Sequence, residues 1–422
     1  MIRNIFTQIL NERKQNVYLL IELFIAGIVL WFLVDFMYIK TKTYQLATGF
    51  DIEDTYMLAM NRIPESSARF DTAHAQTQKE DLLQMVKFLN ALPDVEAASL
   101  SSLAQPYCRG NSIDRLTNVN DTTISVWAHR TYISPEYFKV FAIKGGNGET
   151  PEEMSAKFKM IGSRSFFTVA NLTQRMDSGS KDVAAYLNTN FSSPNFGSEY
   201  YELTGIVTPL KYKDLDTHYP RYIFLPVSMV LDSEAPEFLE WSLRVKSGRD
   251  EAFINYFKTE IVGKYRQGNL MFNDIMSISK LRDACMRADD LKFKNYCIGI
   301  GFLLLNIFLG ILGIFWIRTQ QRRSEIALHI ALGASKVIIV KRLLLEGLIV
   351  LSIATICMLP FIYTIYVTEI PQSFYGIYIS FGRFASTVGI TYLLMLMMIA
   401  VGIGIPAWRA MQIEPAEALH EE

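Results

Sequence analysis

Residues 296–317 read YCIGIGFLLLNIFLGILGIFWI, an apolar run with no charged side chain and with Asn306 as its only strongly polar group. A helix rising 1.5 Å per residue needs about 20 apolar residues to cross the hydrocarbon core of a bilayer, and this stretch supplies them. Three more runs of that length follow the same pattern: residues 17–39, residues 343–368 with Pro360 inside, and residues 384–408. Glu22 and Asp35 interrupt the first near its two ends, where both are expected to reach lipid headgroups. The first run is longer than the apolar core of a signal peptide and no small-residue cleavage site follows it, so it is read as a retained anchor.

Composition agrees with a mixed molecule. Half of the 422 residues are apolar and 20% are charged, too apolar for an ordinary soluble enzyme and too charged for membrane helices alone. The charges must therefore concentrate outside the spans. A net charge of −1 leaves no global basic field, which excludes nucleic acid as a partner.

Orientation follows from Lys and Arg near the span ends, since short loops rich in them stay in the cytoplasm. Arg3, Arg13 and Lys14 precede the first span; Arg318, Arg322, Arg323, Lys336, Lys341 and Arg342 lie between the second and third. The short loop 369–383 carries only Arg383. Both termini are thus expected in the cytoplasm, with one large domain outside. The order is an N-terminal cytoplasmic helix (1–16), span (17–39), extracytoplasmic domain with stalk (40–295), span (296–317), cytoplasmic loop (318–342), span (343–368), external loop (369–383), span (384–408) and cytoplasmic tail (409–422). Ile2, Ile5, Phe6, Ile9 and Leu10 at helical spacing let residues 1–16 lie along the inner membrane surface; a frayed leader is the alternative.

The outer segment reads as an α+β domain of two lobes, giving the fold class: a four-helix membrane bundle plus an α+β extracytoplasmic domain. Strands are expected over residues 55–63, 95–103, 122–133, 200–207, 222–227 and 241–245. Thr77 and Glu80 suggest a capping box for a helix with Leu82, Met85, Val86 and Leu89 on its apolar face. Ser134 is expected to cap a short helix with Pro135 at its first position, and Asp250 another bearing Phe253, Ile254, Phe257 and Ile261. Leu281, Cys285, Ala288 and Leu291 keep a helical repeat into the second span, so a continuous stalk is expected, with a loop at Asp289 and Asp290 as the alternative. Cys108 and Cys285 are the only possible disulfide pair in this domain.

Motifs for chemistry are missing. Gly263, Lys264 and Tyr265 lack the upstream glycine and the hydroxyl residue of a phosphate loop. The five histidines, at 74, 129, 218, 329 and 420, show no metal-ligand spacing, so neither a metal nor another cofactor is expected. No nucleophile elbow occurs, and nothing argues for an enzyme.

The informative stretch is the cytoplasmic loop, residues 318–342, RTQQRRSEIALHIALGASKVIIVKR. Ser324 can cap a short helix, Glu325 suits its first turn, Gly333 suits the left-handed residue after its end, and Ser335 can cap the helix that follows. Arg322, Glu325 and His329 share a polar stripe while Ile326, Ala327, Ile330 and Ala331 are apolar. That apolar side must be buried, in the membrane interface or in a groove on a cytoplasmic partner.

Arg322-Arg323-Ser324-Glu325-Ile326-Ala327-Leu328-His329-Ile330-Ala331-Leu332-Gly333-Ala334 resembles the R-x-x-E-I-G-I-R-x-A-L-G-A motif of FtsX/MacB-type ABC transporter permeases. Glu346 matches that family's acidic residue at the start of the third span. Pro406-Ala407-Trp408-Arg409-Ala410 and Pro415-Ala416-Glu417-Ala418-Leu419 resemble its P-A-x-R-A and P-x-x-A-L endings. Pro135-Glu136-Tyr137-Phe138-Lys139-Val140-Phe141 and Leu203-Thr204-Gly205-Ile206-Val207 are similar to its outer domain, and the order of one span, large domain and three spans is its layout. The resemblance implies a permease in the cell inner membrane that works as a homo- or heterodimer with a separate ABC ATPase. Arg322, Arg323, Ser324, Glu325, Ile326, Ala327, His329, Gly333 and Ala334 would form the coupling helix seated on that ATPase, with Glu346 and Arg409 membrane-proximal. The implied activity is efflux or mechanotransmission, with a periplasmic adaptor or outer-membrane channel as a further partner. The alternative is a membrane regulator of a cell-wall hydrolase, or a ligand sensor, of the same architecture. Ala327 stands where the family has Gly and His329 where it has Arg; His, only partly charged near neutral pH, weakens a contact to an acidic partner.

Overall fold

The computed structural model describes residues 13–107, 112–162, 164–172, 182–196, 199–214, 220–321, 328, 335–368 and 380–410. The chain divides into a unit of Thr43–Asp290 and a unit of Met1–Lys42 with Leu291–Glu422. In chain order the first elements are α1 (Arg13–Gln45), β1 (Thr55–Arg62), α2 (Gln78–Asn90), β2 (Val95–Ser102), β3 (Ile113–Asn118), β4 (Ser125–Ile133), α3 (Tyr137–Val140) and α4 (Pro151–Met160). There follow β5 (Ser165–Val169), β6 (Asn190–Ser192), β7 (Tyr200–Val207), β8 (Tyr222–Pro226), β9 (Glu240–Val245), α5 (Asp250–Tyr256), β10 (Arg266–Gln267) and β11 (Leu270–Ser277). Further on stand α6 (Ile278–Gln321), α7 (Lys336–Val367) and α8 (Phe381–Ala410).

The strands of the α+β unit pair in the order β10-β11-β1-β9-β2-β4-β3-β6-β7-β5-β8, and β8 returns to pair with β4 in parallel. Six strands, β4-β3-β6-β7-β5-β8, therefore close on themselves, leaving β10-β11-β1-β9-β2 as an open wing. Only Ser101↔Ile133 and Ser102↔Tyr132 pair across the join, which is why the unit has two lobes. Each lobe has its own core. The open wing buries Leu82, Met85 and Leu89 of α2 against Leu58, Trp241 and Phe272. The closed lobe encloses Leu116, Phe166, Phe191, Leu203 and Ile223. A third cluster, with Tyr137, Phe138, Phe141, Phe167 and Phe224, also takes in Ile278 at the start of α6.

Local caps differ from expectation. Thr77 precedes α2 but makes no side-chain cap bond: its backbone (φ −102°, ψ 24°) is not extended, and its hydroxyl donates instead to Asp81 Oδ2 at 3.0 Å. Ser134 Oγ accepts from Leu100 N at 3.2 Å and so binds β2, while the short helix begins at Tyr137. Asp250 is the first helical residue of α5 and accepts from the Tyr56 hydroxyl at 2.7 Å. The capping box that does form joins Thr150 and Glu153 at the head of α4, with Pro151 in the first turn. β3 escaped a hydrophobic-period reading because Asp114 and Asn118 occupy inward positions; Asp114 is neutralised by Arg130 at 3.0 Å.

Among the described residues, four helices are long and apolar enough to cross a membrane. The helix α6 continues without a break through Asp289 and Asp290. Leu23, Leu30, Ile311, Val350, Leu351, Met395 and Ile399 form the bundle core. Helices α1 and α7 approach closely at Gly27, where an added Cβ would lie 2.6 Å from Met358 Sδ. Asn306 donates to Phe302 O, one turn back on its own helix, at 2.8 Å. Cys285 packs against the third core cluster, whereas Cys108, and with it the disulfide expectation, lies outside the described residues.

Candidate functional site

Of the residues singled out by the sequence, Arg322, Arg323, Ser324, Glu325, Ile326, Ala327, His329, Gly333 and Ala334 lie outside the described residues. Leu328, within the same stretch, is helical and exposed. Glu346 is buried on α7, and Arg409 lies in the final turn of α8.

What the structure does assemble is a polar joint in the α+β unit, where α6 begins. Ile278 is fully buried, and Leu281 and Cys285 pack against the same cluster, so positions i, i+3 and i+7 seat one face of the helix. Arg282, beside that face, donates from Nε to Asp214 Oδ2 at 2.8 Å and from Nη2 to the same oxygen. Tyr107 OH donates to Asp214 Oδ1 at 2.9 Å, so both carboxylate oxygens are engaged. Three residues earlier in the same loop, Lys211 is completely buried and donates from Nζ to the backbone carbonyls of Thr43 (2.8 Å) and Asp214 (2.7 Å). One loop, residues 211–214, thereby grips the last turns of α1 through Thr43 and the first turns of α6 through Arg282.

The surroundings hold this loop in place. Tyr107 has a left-handed backbone (φ 64°), which costs a non-glycine residue on the order of 1 kcal/mol, and its N–H donates to Tyr212 O at 3.1 Å. Glu240 accepts from the backbone of Ala104 and of Gln105, both at 2.8 Å, and from Ser101 Oγ at 3.1 Å, fixing the segment that leads to Tyr107. Arg244 ties down the chain after α1, donating to Asp51 Oδ2 (3.1 Å), Asp51 O (2.9 Å) and Val140 O (2.8 Å). The Asp214 hydrogen bond pushes Arg282 further above its ordinary pKa, and burial followed by the Asp214 charge pushes the Tyr107 phenol up. Both therefore remain donors across the physiological pH range. Burial also raises the Glu240 carboxyl, against the three bonds it accepts.

A second buried pair lies in the helical unit. Arg383 donates from Nε to Asp35 Oδ1 at 2.9 Å and from Nη2 to Asp35 Oδ2 at 2.5 Å, with the two side chains 6% and 4% exposed. The guanidinium sits 5.1 Å from the centroid of Tyr366, whose hydroxyl donates to Ser380 O and accepts from Ser380 N, both at 2.7 Å. Trp31 Nε1 donates to Thr387 Oγ1 at 3.1 Å nearby. This corrects the expectation that Asp35 reaches headgroups: α1 turns it into the bundle, where a charge persists only if paired, and Arg383 of α8 supplies the partner.

Neither cluster was visible in the sequence, because the partners are 68, 168 and 348 residues apart and no local pattern links them. Among the described residues no group of three or more His, Cys, Asp or Glu could hold a metal ion. The joint is suited to holding two helix ends in fixed register.

Residues 297–415 match the family model described as FtsX-like permease C-terminal. No curated protein gives a significant match. Solved structures similar to the chain include the periplasmic region of MacB from Actinobacillus actinomycetemcomitans, at 12% identity over 58% of this chain and 97% of that one (TM-score 0.33). The extracellular domain of the noncanonic ABC-type transporter YknZ from Gram-positive bacteria is similar at 12% identity over 52% of this chain and 100% of that one (TM-score 0.30).

Proposed function

We propose, from the match of residues 297–415 to the FtsX-like permease C-terminal model, that this chain is the transmembrane subunit of an ABC transporter whose ATPase is a separate polypeptide. In this reading hydrolysis on the partner drives movement of Thr43–Asp290 outside the membrane, with export or mechanical signalling as the output. One observation carries the reading. Helical hydrogen bonding is uninterrupted from Ile278 to Gln321, so the residue pinned to Asp214 and the residue preceding the Arg322–Ala334 motif belong to one helix of 44 residues. At 1.5 Å per residue that is roughly 66 Å of stiff rod. A push on the short loop after Gln321 is transmitted by a rod better than by a hinge.

The remaining parts follow. The basic residues of the termini and of 318–342 favour a cytoplasmic side for both, with the α+β unit periplasmic and the chain multi-pass in the inner membrane. Arg322, Arg323, Ser324, Glu325, Ile326, Ala327, His329, Gly333 and Ala334 would seat on the ATPase, and a second permease subunit, identical or related, would complete the assembly. Affinity purification of the tagged full chain from membranes tests this. An ABC ATPase should be recovered in stoichiometric amount; its consistent absence from a folded, membrane-inserted preparation sinks the assignment.

A further inference from the structure

Within the helical unit a cavity of about 370 Å³ opens between α1, α6 and α8. That lies in the range of ligand pockets, roughly 300–1,000 Å³. Its walls are aliphatic over most of their length: Leu30, Val34 and Met37 from α1, Leu304 from α6, and Leu394 from α8. Polar groups enter at one end only, where Tyr38, Thr41 and Lys42 complete the lining. From Leu30 to Lys42 the α1 stripe climbs about 18 Å at the helical rise, passing from purely aliphatic to aromatic-polar to cationic.

Among the lining residues the charged side chain is that of Lys42. Lys42 Nζ lies 6.0 Å from the Tyr38 ring centroid, and Lys40 Nζ lies 5.9 Å from that of Phe36. The acid on this part of α1, Asp35, is already neutralised by Arg383. A matching occupant is long, thin and apolar with a negative end.

We propose that the cavity holds one acyl chain of an anionic phospholipid, with the headgroup phosphate against Lys42. The inference rests on these helices spanning a membrane and is independent of any ATPase coupling. A single lysine close to a membrane surface attracts an anionic headgroup by about fivefold over a neutral one.

The test is native mass spectrometry of the purified full chain incubated with dioleoylphosphatidylglycerol or dioleoylphosphatidylcholine. The parent should retain the glycerol lipid about fivefold better. Lys42→Gln, an exposed change, should erase that preference while leaving a bound lipid. Val34→Trp should fill the space and lower retention of both lipids, with circular dichroism confirming the helical fold; Leu394→Trp serves if that variant misfolds. Equal retention of the two lipids by the parent, or undiminished retention in a folded cavity-filling variant, overturns the proposal. So does efficient disulfide crosslinking of Val34→Cys to a second copy, which would show a protein occupant.

Discussion

Replacing Arg282 by Met keeps the apolar stem and removes the two donors that bind Asp214, a perturbation confined to the joint. The Asp214 side chain is 9% exposed and would keep, among the described residues, the Tyr107 hydroxyl, whereas Arg282 is 37% exposed. Hydrogen bonds to a charged group are worth about 1.5–3 kcal/mol each. The exposure of Arg282 lets water replace part of what is lost, so the pair is discounted as a partly screened one. A net weakening of about 1–2 kcal/mol remains, which multiplies local opening by roughly 5–30. Amide hydrogen exchange in the full chain reads this directly: residues 278–290 should exchange roughly 5–30 times faster, while amides of α7 and α8 stay unchanged. Unaltered exchange over 278–290 would show that Arg282 does not anchor the helix. An equal acceleration throughout Thr43–Asp290 would mean global loosening in place of a released joint.

Lys211→Met should destabilise the α+β unit by about 1–3 kcal/mol, the usual range for leaving buried carbonyls short of a donor, measured as a lower Tm of the purified chain. Asp35→Leu leaves Arg383 buried and alone and should cost about 3–5 kcal/mol of stability in detergent; adding Arg383→Leu should recover most of it, and a double variant as unstable as the single one would contradict the pairing. Because burial raises the Glu240 carboxyl above its ordinary 4.5, the folded state holds that proton more tightly than the unfolded one. The stability tied to it is fully present below the unfolded value and is lost as pH rises through the folded value. Glu240→Gln should flatten that decline in a series of melts from acid to neutral pH.

The sequence exposed the fold class because each span is a long apolar run whose signal needs no tertiary context, and because strands such as β7 carry strong local β-propensity. Caps were harder: Thr77 and Ser134 have the right side chains, but Asp81 and Leu100 N compete for their hydroxyls, and that competition exists only in the folded chain. The buried charges were harder still. Asp35 reads as interfacial and Arg383 as a loop residue until α1 and α8 pack, and no local pattern marks Lys211 for burial beneath Thr43. The segment proposed to couple shows the opposite case. Its motif is legible in residues 322–334 because closely spaced residues carry it, and those positions other than Leu328 lie outside the described residues.

Coupling is tested most directly by ATP turnover of the complex purified through this chain and reconstituted in liposomes, comparing the parent with Glu325→Ala and Gly333→Ala. The parent should support stimulated hydrolysis by its partner, and both variants should lose the stimulation while remaining inserted in the membrane. Equal turnover in all three, or an orientation of Gly333 outside the membrane in accessibility labelling of the same liposomes, would contradict a cytoplasmic coupling helix.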